Sequence, residues 1–326
     1  MLTLQNWNVR EIDDFLSLRL PQAETRERLK ALTPDNMDVD LFKAFLTAMR
    51  AKSLPVLPVK LPIMDCCGTG GSGIPRFNAS TTSAFILAAG GVPTVKLGNR
   101  GISSRSGSFD LLEQLGIPDQ WTLTALPDIL NDCGLVFLYA PQVYPDLVPF
   151  SQLRREVGIR TIFNYMGPLL NPTQPAYRLL GVSNQRMQAI IAEILREDSW
   201  THRAWVVRAE NGLDEISPSG STDIFDIQDQ TMTKWAYSPE FQTLPCNPKL
   251  THTPEENLQI FRDIVSGEDG QSAYHRISCL NSAAGFYLAD KVDSFEEGAL
   301  LAEDLLMNKK VAELVEKVRR IYGRLR

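Results

Sequence analysis

Four glycines fall within the six residues Gly68-Thr69-Gly70-Gly71-Ser72-Gly73. Without a Cβ, such a stretch lets the backbone come close to an anion and turn several N–H groups toward it. Asn78, Ser80 and Thr81 follow at the start of a predicted helix, where side-chain oxygens, unpaired N–H groups and the helix dipole coincide. Lys96 and Arg100 add full positive charge from the end of the next strand. A tight turn with a capped helix explains any one of these features. The combination reads as a phosphate-binding loop of an enzyme acting on a small molecule. A second constellation is Asn211-Gly212-Leu213-Asp214-Glu215. Alone, an Asp-Glu pair is ordinarily a solvated loop. Beside a diphosphate site, two adjacent carboxylates can hold Mg²⁺ ions that also bind substrate phosphates. Arg154 could clamp a carboxylate with two parallel hydrogen bonds, or could simply be a surface cation on a helix.

Two nucleotide-binding readings of the loop fail. Gly68 to Gly73 formally match G-x-G-x-x-G, but in a dinucleotide fold the helix starts inside that motif and an acid ends the second strand. Here Ile74-Pro75-Arg76-Phe77 intervene, and the second strand runs into Lys96-Leu97-Gly98-Asn99-Arg100. That end is cationic where an acid must hold a ribose. No Gly-Lys-Ser/Thr follows, so a nucleotide P-loop is excluded too.

The elements that must position these residues alternate. The first fifty residues read as short helices; Phe42, Phe45, Leu46 and Met49 give a helical stripe over 38–49. Pro55, Pro58 and Pro62 then mark a link between subdomains. Beyond it the pattern predicts strands at 63–67, 92–97, 135–139 and 204–207. Helices are predicted at 80–89, 109–115 and 147–157, and over the stripe Met187, Ile190, Ile191, Ile194 and Leu195 with Ser183 or Asn184 as its cap. Thr253-Pro254-Glu255-Glu256 is a capping box, and Asp293 with Glu296 repeats the device before the final helices. The expected fold class is α/β: a mixed, largely parallel sheet flanked by helices, with a smaller all-helical subdomain.

Composition narrows the partners. Hydrophobic residues are 44% and charged residues 22% of the chain, which suits a folded globule and argues against disorder. The net charge of -6 opposes a nucleic-acid backbone. The basic cluster Lys317, Arg319, Arg320, Arg324 and Arg326 suits the end of a last helix. Five cysteines without C-x-x-C spacing argue against a disulfide framework or structural zinc, and three scattered histidines give little support to a histidine-based metal centre. No signal peptide and no run long enough to span a bilayer is read, so a cytoplasmic protein without membrane partner is expected.

From about residue 38 onward the chain resembles the anthranilate phosphoribosyltransferase family. The family's loop reads G-T-G-G-D-G, then F-N-x-S-T; here stand GTGGSG and Phe77-Asn78-Ala79-Ser80-Thr81. The family's K-H-G-N-R-x-x-S-S is matched by Lys96-Leu97-Gly98-Asn99-Arg100-Gly101-Ile102-Ser103-Ser104, with Ser106-Gly107-Ser108 following. Arg154-Arg155-Glu156, Arg160-Thr161-Ile162-Phe163-Asn164, Gly167-Pro168-Leu169, Asn171-Pro172 and Gly212-Leu213-Asp214-Glu215 continue in order. Ser72 replaces the loop's acid, Leu97 and Tyr144 replace two histidines, and Arg208-Ala209 replaces His-Gly before the acidic loop.

The resemblance implies a phosphoribosyltransferase or nucleoside-phosphorylase-like fold: a helical subdomain of residues 1–54, joined by helices near 145–168, beside an α/β subdomain of residues 55–326. It implies a homodimer and a reaction of tryptophan biosynthesis, in which phosphoribosyl pyrophosphate and anthranilate give N-(5'-phosphoribosyl)anthranilate and pyrophosphate. By matching position, Gly68, Gly71, Asn78, Ser80, Thr81, Lys96, Ser104 and Ser108 would hold the donor. Ser72 and Arg100 lie within the same donor motifs. Ser80 would touch one Mg²⁺ and Asp214 with Glu215 another, while Asn99 and Arg154 would meet anthranilate. No discrete acid or base is expected. The alternatives are the same donor with another aromatic or heterocyclic acceptor, suggested by Leu97 and Tyr144, or a non-catalytic binding relative.

Overall fold

The computed structural model describes residues 7–56, 58–71, 77–101, 106–239, 253–268, 270 and 272–325. Its strands are β1 (Met64–Gly68), β2 (Thr94–Gly98), β3 (Leu135–Tyr139), β4 (Tyr177–Gly181), β5 (Arg203–Ala209), β6 (Thr222–Gln228) and β7 (Thr231–Tyr237). They form one sheet in the order β3-β2-β1-β4-β5-β6-β7. The five strands from β3 to β5 pair in parallel, and β6 and β7 extend one edge antiparallel. This is the mixed, largely parallel sheet that the sequence predicts.

The helices, taken along the chain, begin with α1 (Val9–Leu16), α2 (Gln22–Ala31), α3 (Val39–Arg50), α4 (Ala79–Ala89) and α5 (Ser108–Gln114). Next come α6 (Leu126–Cys133), α7 (Ala140–Val143), α8 (Val148–Val157), α9 (Phe163–Met166) and α10 (Gln185–Glu197). Last are α11 (Pro254–Ser266), α12 (Ala273–Leu288), α13 (Phe295–Met307) and α14 (Lys310–Gly323). Several start where a short polar side chain accepts a hydrogen bond from a backbone N–H. Asn184, rather than Ser183, caps α10 by accepting from Met187 N at 3.0 Å. Thr253 and Glu256 form the expected box at α11. The device before α13 sits one residue later than predicted: Ser294 accepts from Glu297 N, and Glu297, not Glu296, reaches back to Asp293 N.

Three strands escape the sequence pattern for identifiable reasons. β4 carries Arg178, a charge in a strand buried on both faces, and its guanidinium finds Asp198 at 3.8 Å and the Pro168 carbonyl at 3.4 Å. β6 and β7 form an antiparallel ribbon whose outer strand is mostly exposed, so neither shows the continuous apolar run of a central strand. Cys66, Cys67, Cys133 and Cys279 are free thiols. No helix among the described residues is long and apolar enough to cross a membrane.

The helices α1, α3, α8 and α9 meet in an aromatic cluster. Phe15, Phe45, Phe150 and Phe163 pack with ring centroids 4.8 to 6.2 Å apart. Edge-on and stacked rings at such spacing stabilise by about 0.5–1.5 kcal/mol per pair beyond their burial. This helical layer stands beside the carboxyl ends of the parallel strands. The chain leaves β1 for β2 on one side, while β4 pairs on the other, and that reversal opens a crevice above the strand ends.

Candidate active site

The crevice is a cavity of about 960 Å³ whose walls come from the ends of β1, β2 and β3, from α4, and from the helical layer. That is the upper end of the roughly 300–1,000 Å³ typical of small-molecule sites. At its floor Gly68 of β1 and Gly181 of β4 stand opposite each other in register. A Cβ on either would overlap Asp214. The two glycines thus leave a slot, and Asp214 fills it, buried, accepting from Gly70 N at 2.8 Å. Just beyond the acidic pair, Asn281 of α12 anchors the loop by accepting from Ile216 N at 3.1 Å. Asp214 is therefore built into the floor rather than solvated, and half-buried Glu215 lines the cavity beside it.

Beyond Gly68 the loop passes through Gly71 at φ 79°, a left-handed conformation that disfavours any side chain. The Arg160 guanidinium occupies the space such a side chain would take. It donates to the carbonyls of Gly70 and Gly71 and, at 3.0 Å, to Ser183 Oγ, while lying 4.7 Å from the Tyr165 ring centroid. Ser183 Oγ donates in turn to the Gly70 carbonyl at 2.9 Å. Sequence reasoning did not select Arg160 as a site residue. It lies some ninety residues from the loop it grips, and no local pattern signals that contact.

Lys96 is only 3% exposed, on β2. Its Nζ donates to the Cys66 carbonyl at 2.6 Å and to Ser80 Oγ at 3.1 Å. Behind it lies Asp65, fully buried, taking a 2.8 Å hydrogen bond from Asn171 Nδ2. Burial raises the Asp65 carboxyl, and the nearby Lys96 charge opposes that rise. Asp65 was also missed; its only sequence signal is one acid inside an apolar strand. Burial also pushes the Cys66 thiol up to about 12, so it stays protonated. Asn78 precedes α4 but does not cap it, its Nδ2 instead lying 3.4 Å from Ser106 Oγ. With no side-chain cap and no acid in its first turn, the start of α4 offers Ser80, buried Thr81 and backbone N–H groups to the cavity.

Asn99 and Ser108 also line the cavity, with Ser108 Oγ donating to the Asn99 carbonyl at 3.2 Å. Arg100 lines the cavity too, but its charge is already engaged. Its guanidinium is tied to Glu113 at 2.6 Å and Asp119 at 2.9 Å, with Asp110 at 3.6 Å. Those carboxylates hold it above the usual arginine range and use the charge expected to meet a phosphate. Ser72 and Ser104 lie outside the described residues.

On the helical side Arg154 of α8 lines the same cavity, its guanidinium 5.6 Å from the Phe163 ring centroid. Its Nε is buried without a hydrogen-bond partner, and no carboxylate among the described residues pairs with it. Desolvation, with a lesser push from Arg155, lowers it to about 10, still protonated at neutral pH. A charge buried this way is costly unless an anion arrives. Leu97 and Tyr144 are buried in the wall, and the Tyr144 hydroxyl donates to the Leu170 carbonyl. Desolvation raises that phenol to about 12.

The profile of the glycosyl transferase family, a/b domain, matches residues 60–311. The anthranilate phosphoribosyltransferase of Brevibacillus brevis is 37% identical over 299 residues, covering 90% of this chain and 86% of that protein. That of Petrotoga mobilis is 34% identical over 323 residues, covering 96% and 93%. The chain belongs to the anthranilate phosphoribosyltransferase family. The solved enzyme of that name from Thermus thermophilus superposes with a TM-score of 0.86 at 30% identity, covering 98% of this chain and 97% of that one. The Saccharomyces cerevisiae enzyme, solved in complex with PRPP and Mg, shares the fold at a TM-score of 0.82 and 23% identity, covering 98% and 94%. Within the family, the departures at Leu97 and Tyr144 both fall on the cavity wall.

Proposed function

We propose that the chain transfers phosphoribosyl from phosphoribosyl pyrophosphate to anthranilate with Mg²⁺, releasing pyrophosphate. The observation that carries this reading is the division of one cavity. Lys96, hydroxyls and the start of α4 line its sheet side, and Arg154, whose Nε has no hydrogen-bond partner among the described residues, its helical side. The first set suits a diphosphate and the second an acceptor's carboxylate.

In this reaction the anthranilate nitrogen bonds to the anomeric carbon as the bond to the pyrophosphate oxygen breaks, and the amine gives up a proton. Positive charge builds on the sugar and negative charge on the leaving group. Lys96 stands pre-aimed by the Cys66 carbonyl and Ser80, so its charge meets the leaving anion without reorganisation. Asp214, Glu215 and Ser80 would hold Mg²⁺: the donor set is all oxygen, which this hard cation prefers, and the glycine slot fixes Asp214 in place. When bound, Mg²⁺ supplies neutralisation of the pyrophosphate charge. Arg154 and Asn99 orient the acceptor, and because an aromatic amine is already a neutral nucleophile, positioning counts for more than a strong base.

The deciding assay combines purified protein, phosphoribosyl pyrophosphate, Mg²⁺ and anthranilate, and follows the loss of anthranilate fluorescence. Turnover is expected. Donor binding without turnover would move the reading to another aromatic or heterocyclic acceptor, while no donor binding would leave a non-catalytic relative. For Arg160 we expect an effect on the donor alone. Arg160→Ala removes charge-assisted hydrogen bonds of about 1.5–3 kcal/mol, so the donor dissociation constant should rise at least about tenfold in calorimetry with the acceptor KM nearly unchanged. Equal losses for both substrates would assign Arg160 a general folding role.

The same reading takes residues 1–54 with the helices near 145–168 as one subdomain and 55–326 as the other, in a cytoplasmic homodimer. The aromatic cluster joining α1, α3, α8 and α9 supports the division. Exposed Val9 and Leu18 offer apolar surface to a second copy, and sedimentation of the purified protein tests the dimer.

A further inference from the structure

His275 and Cys279 lie one helical turn apart on α12, and Glu303 of α13 faces both. We propose that these three side chains form a binding site for a divalent transition-metal ion, zinc foremost, separate from the catalytic cavity. None of the three lines that cavity. Their ligand atoms all lie within 4.8 Å of one another. Once Cys279 gives its proton to solvent on binding, the donor set of thiolate, imidazole and carboxylate suits zinc and excludes Mg²⁺, which favours oxygen throughout.

One of the three donor spacings already matches a tetrahedral ion, and a second must open. With metal–ligand bonds of about 2.0–2.3 Å, neighbouring donors stand about 3.4–3.6 Å apart. Cys279 Sγ and Glu303 Oε2 are already 3.5 Å apart. His275 Nε2 and Glu303 Oε2 are 2.5 Å apart, a hydrogen bond that must open by roughly an ångström to admit an ion. The Glu303 side chain can supply that movement, because it is 43% exposed while His275 is buried. The same exposure gives the ion an entry path and leaves a fourth position for water. With metal at Nε2, the ring proton sits on buried Nδ1, which has no partner among the described residues.

Such an ion would staple α12 to α13. α12 also carries Tyr274, whose ring packs 5.0 Å from Phe77 of the cavity wall, and Asn281, which holds the acidic loop through Ile216. The sequence hid the site because its ligands come from two helices, and the His-Cys pair resembles no zinc-finger spacing.

The test uses the full chain, freed of metal with a chelator and titrated with Co²⁺ in Mg²⁺-saturated buffer. We expect a saturable tetrahedral cobalt spectrum with a thiolate-to-cobalt charge-transfer band, displaced by Zn²⁺. Cys279→Ser should abolish that band, and Glu303→Gln and His275→Gln should each weaken Co²⁺ binding about tenfold or more. Circular dichroism confirms that each variant is folded, and the conservative Cys279→Ser and Glu303→Gln decide the question if His275→Gln is not. No band in the wild-type protein would overturn the proposal. A band that survives Cys279→Ser would assign the cobalt to another thiol and overturn it equally. Because the readout is spectroscopic, failure here leaves the proposed reaction untouched.

Discussion

Arg154→Ala is expected to lower kcat/KM for the aromatic acceptor by about two to three orders of magnitude while leaving donor affinity within about twofold. Truncating one partner of a buried, hydrogen-bonded charge pair costs about 2–5 kcal/mol, and each 1.4 kcal/mol is about tenfold. Arg154 fits that case because no carboxylate among the described residues pairs with it. Arg154→Lys should recover little, since an ammonium cannot reproduce the planar two-pronged fork. Stability should move the other way. Without acceptor, the wild-type protein holds a desolvated guanidinium whose compensation among the described residues is the Phe163 ring. A cation–π contact is worth about 0.5–2 kcal/mol, less than the cost of burying the charge. The melting temperature of Arg154→Ala should therefore hold or rise. Steady-state kinetics with each substrate varied and a thermal melt check both halves. A variant that loses donor and acceptor use equally, or melts lower, would remove Arg154 from the acceptor site.

The residues on the sheet side of the cavity were legible in the sequence because their signals are local. The glycine loop, the polar start of α4 and Lys96 lie within about thirty residues, and the side chains that matter follow the strand ends directly. Caps were legible for the same reason, and the slip from Ser294 to Asp293 arose where two good capping residues and two glutamates stand side by side. What stayed hidden depends on contacts distant along the chain. Arg160 looks like a surface cation until the fold lays it on the carbonyls of Gly70 and Gly71. Arg178 disguises β4 because only the fold supplies Asp198. Arg100 lines the cavity, but no local pattern signals that Glu113 and Asp119 engage its charge in space.

The slot at the cavity floor makes the sharpest steric prediction. Gly181→Ala puts a Cβ onto the carbonyl of Asp214, and the obstacle is backbone, which cannot rotate away. β4 cannot yield either, being hydrogen-bonded to β1 on one side and β5 on the other. Overpacking of this kind costs about 1–3 kcal/mol, occasionally more, so the melting temperature should fall by several degrees. Relief must come from the acidic loop, which would carry Asp214 away from Gly70 N and take Glu215 with it. Activity should then drop by about two orders of magnitude or more, and the Mg²⁺ concentration for half-maximal rate should rise. Asp214→Asn separates charge from shape. It keeps the volume and the slot, so stability should stay within about 1 kcal/mol of wild type, while the Mg²⁺ requirement rises as in Gly181→Ala. Two variants with the same metal defect but different stability would show that Gly181 acts through Asp214. A Gly181→Ala protein with wild-type Mg²⁺ dependence would instead mean that the acidic pair holds no metal.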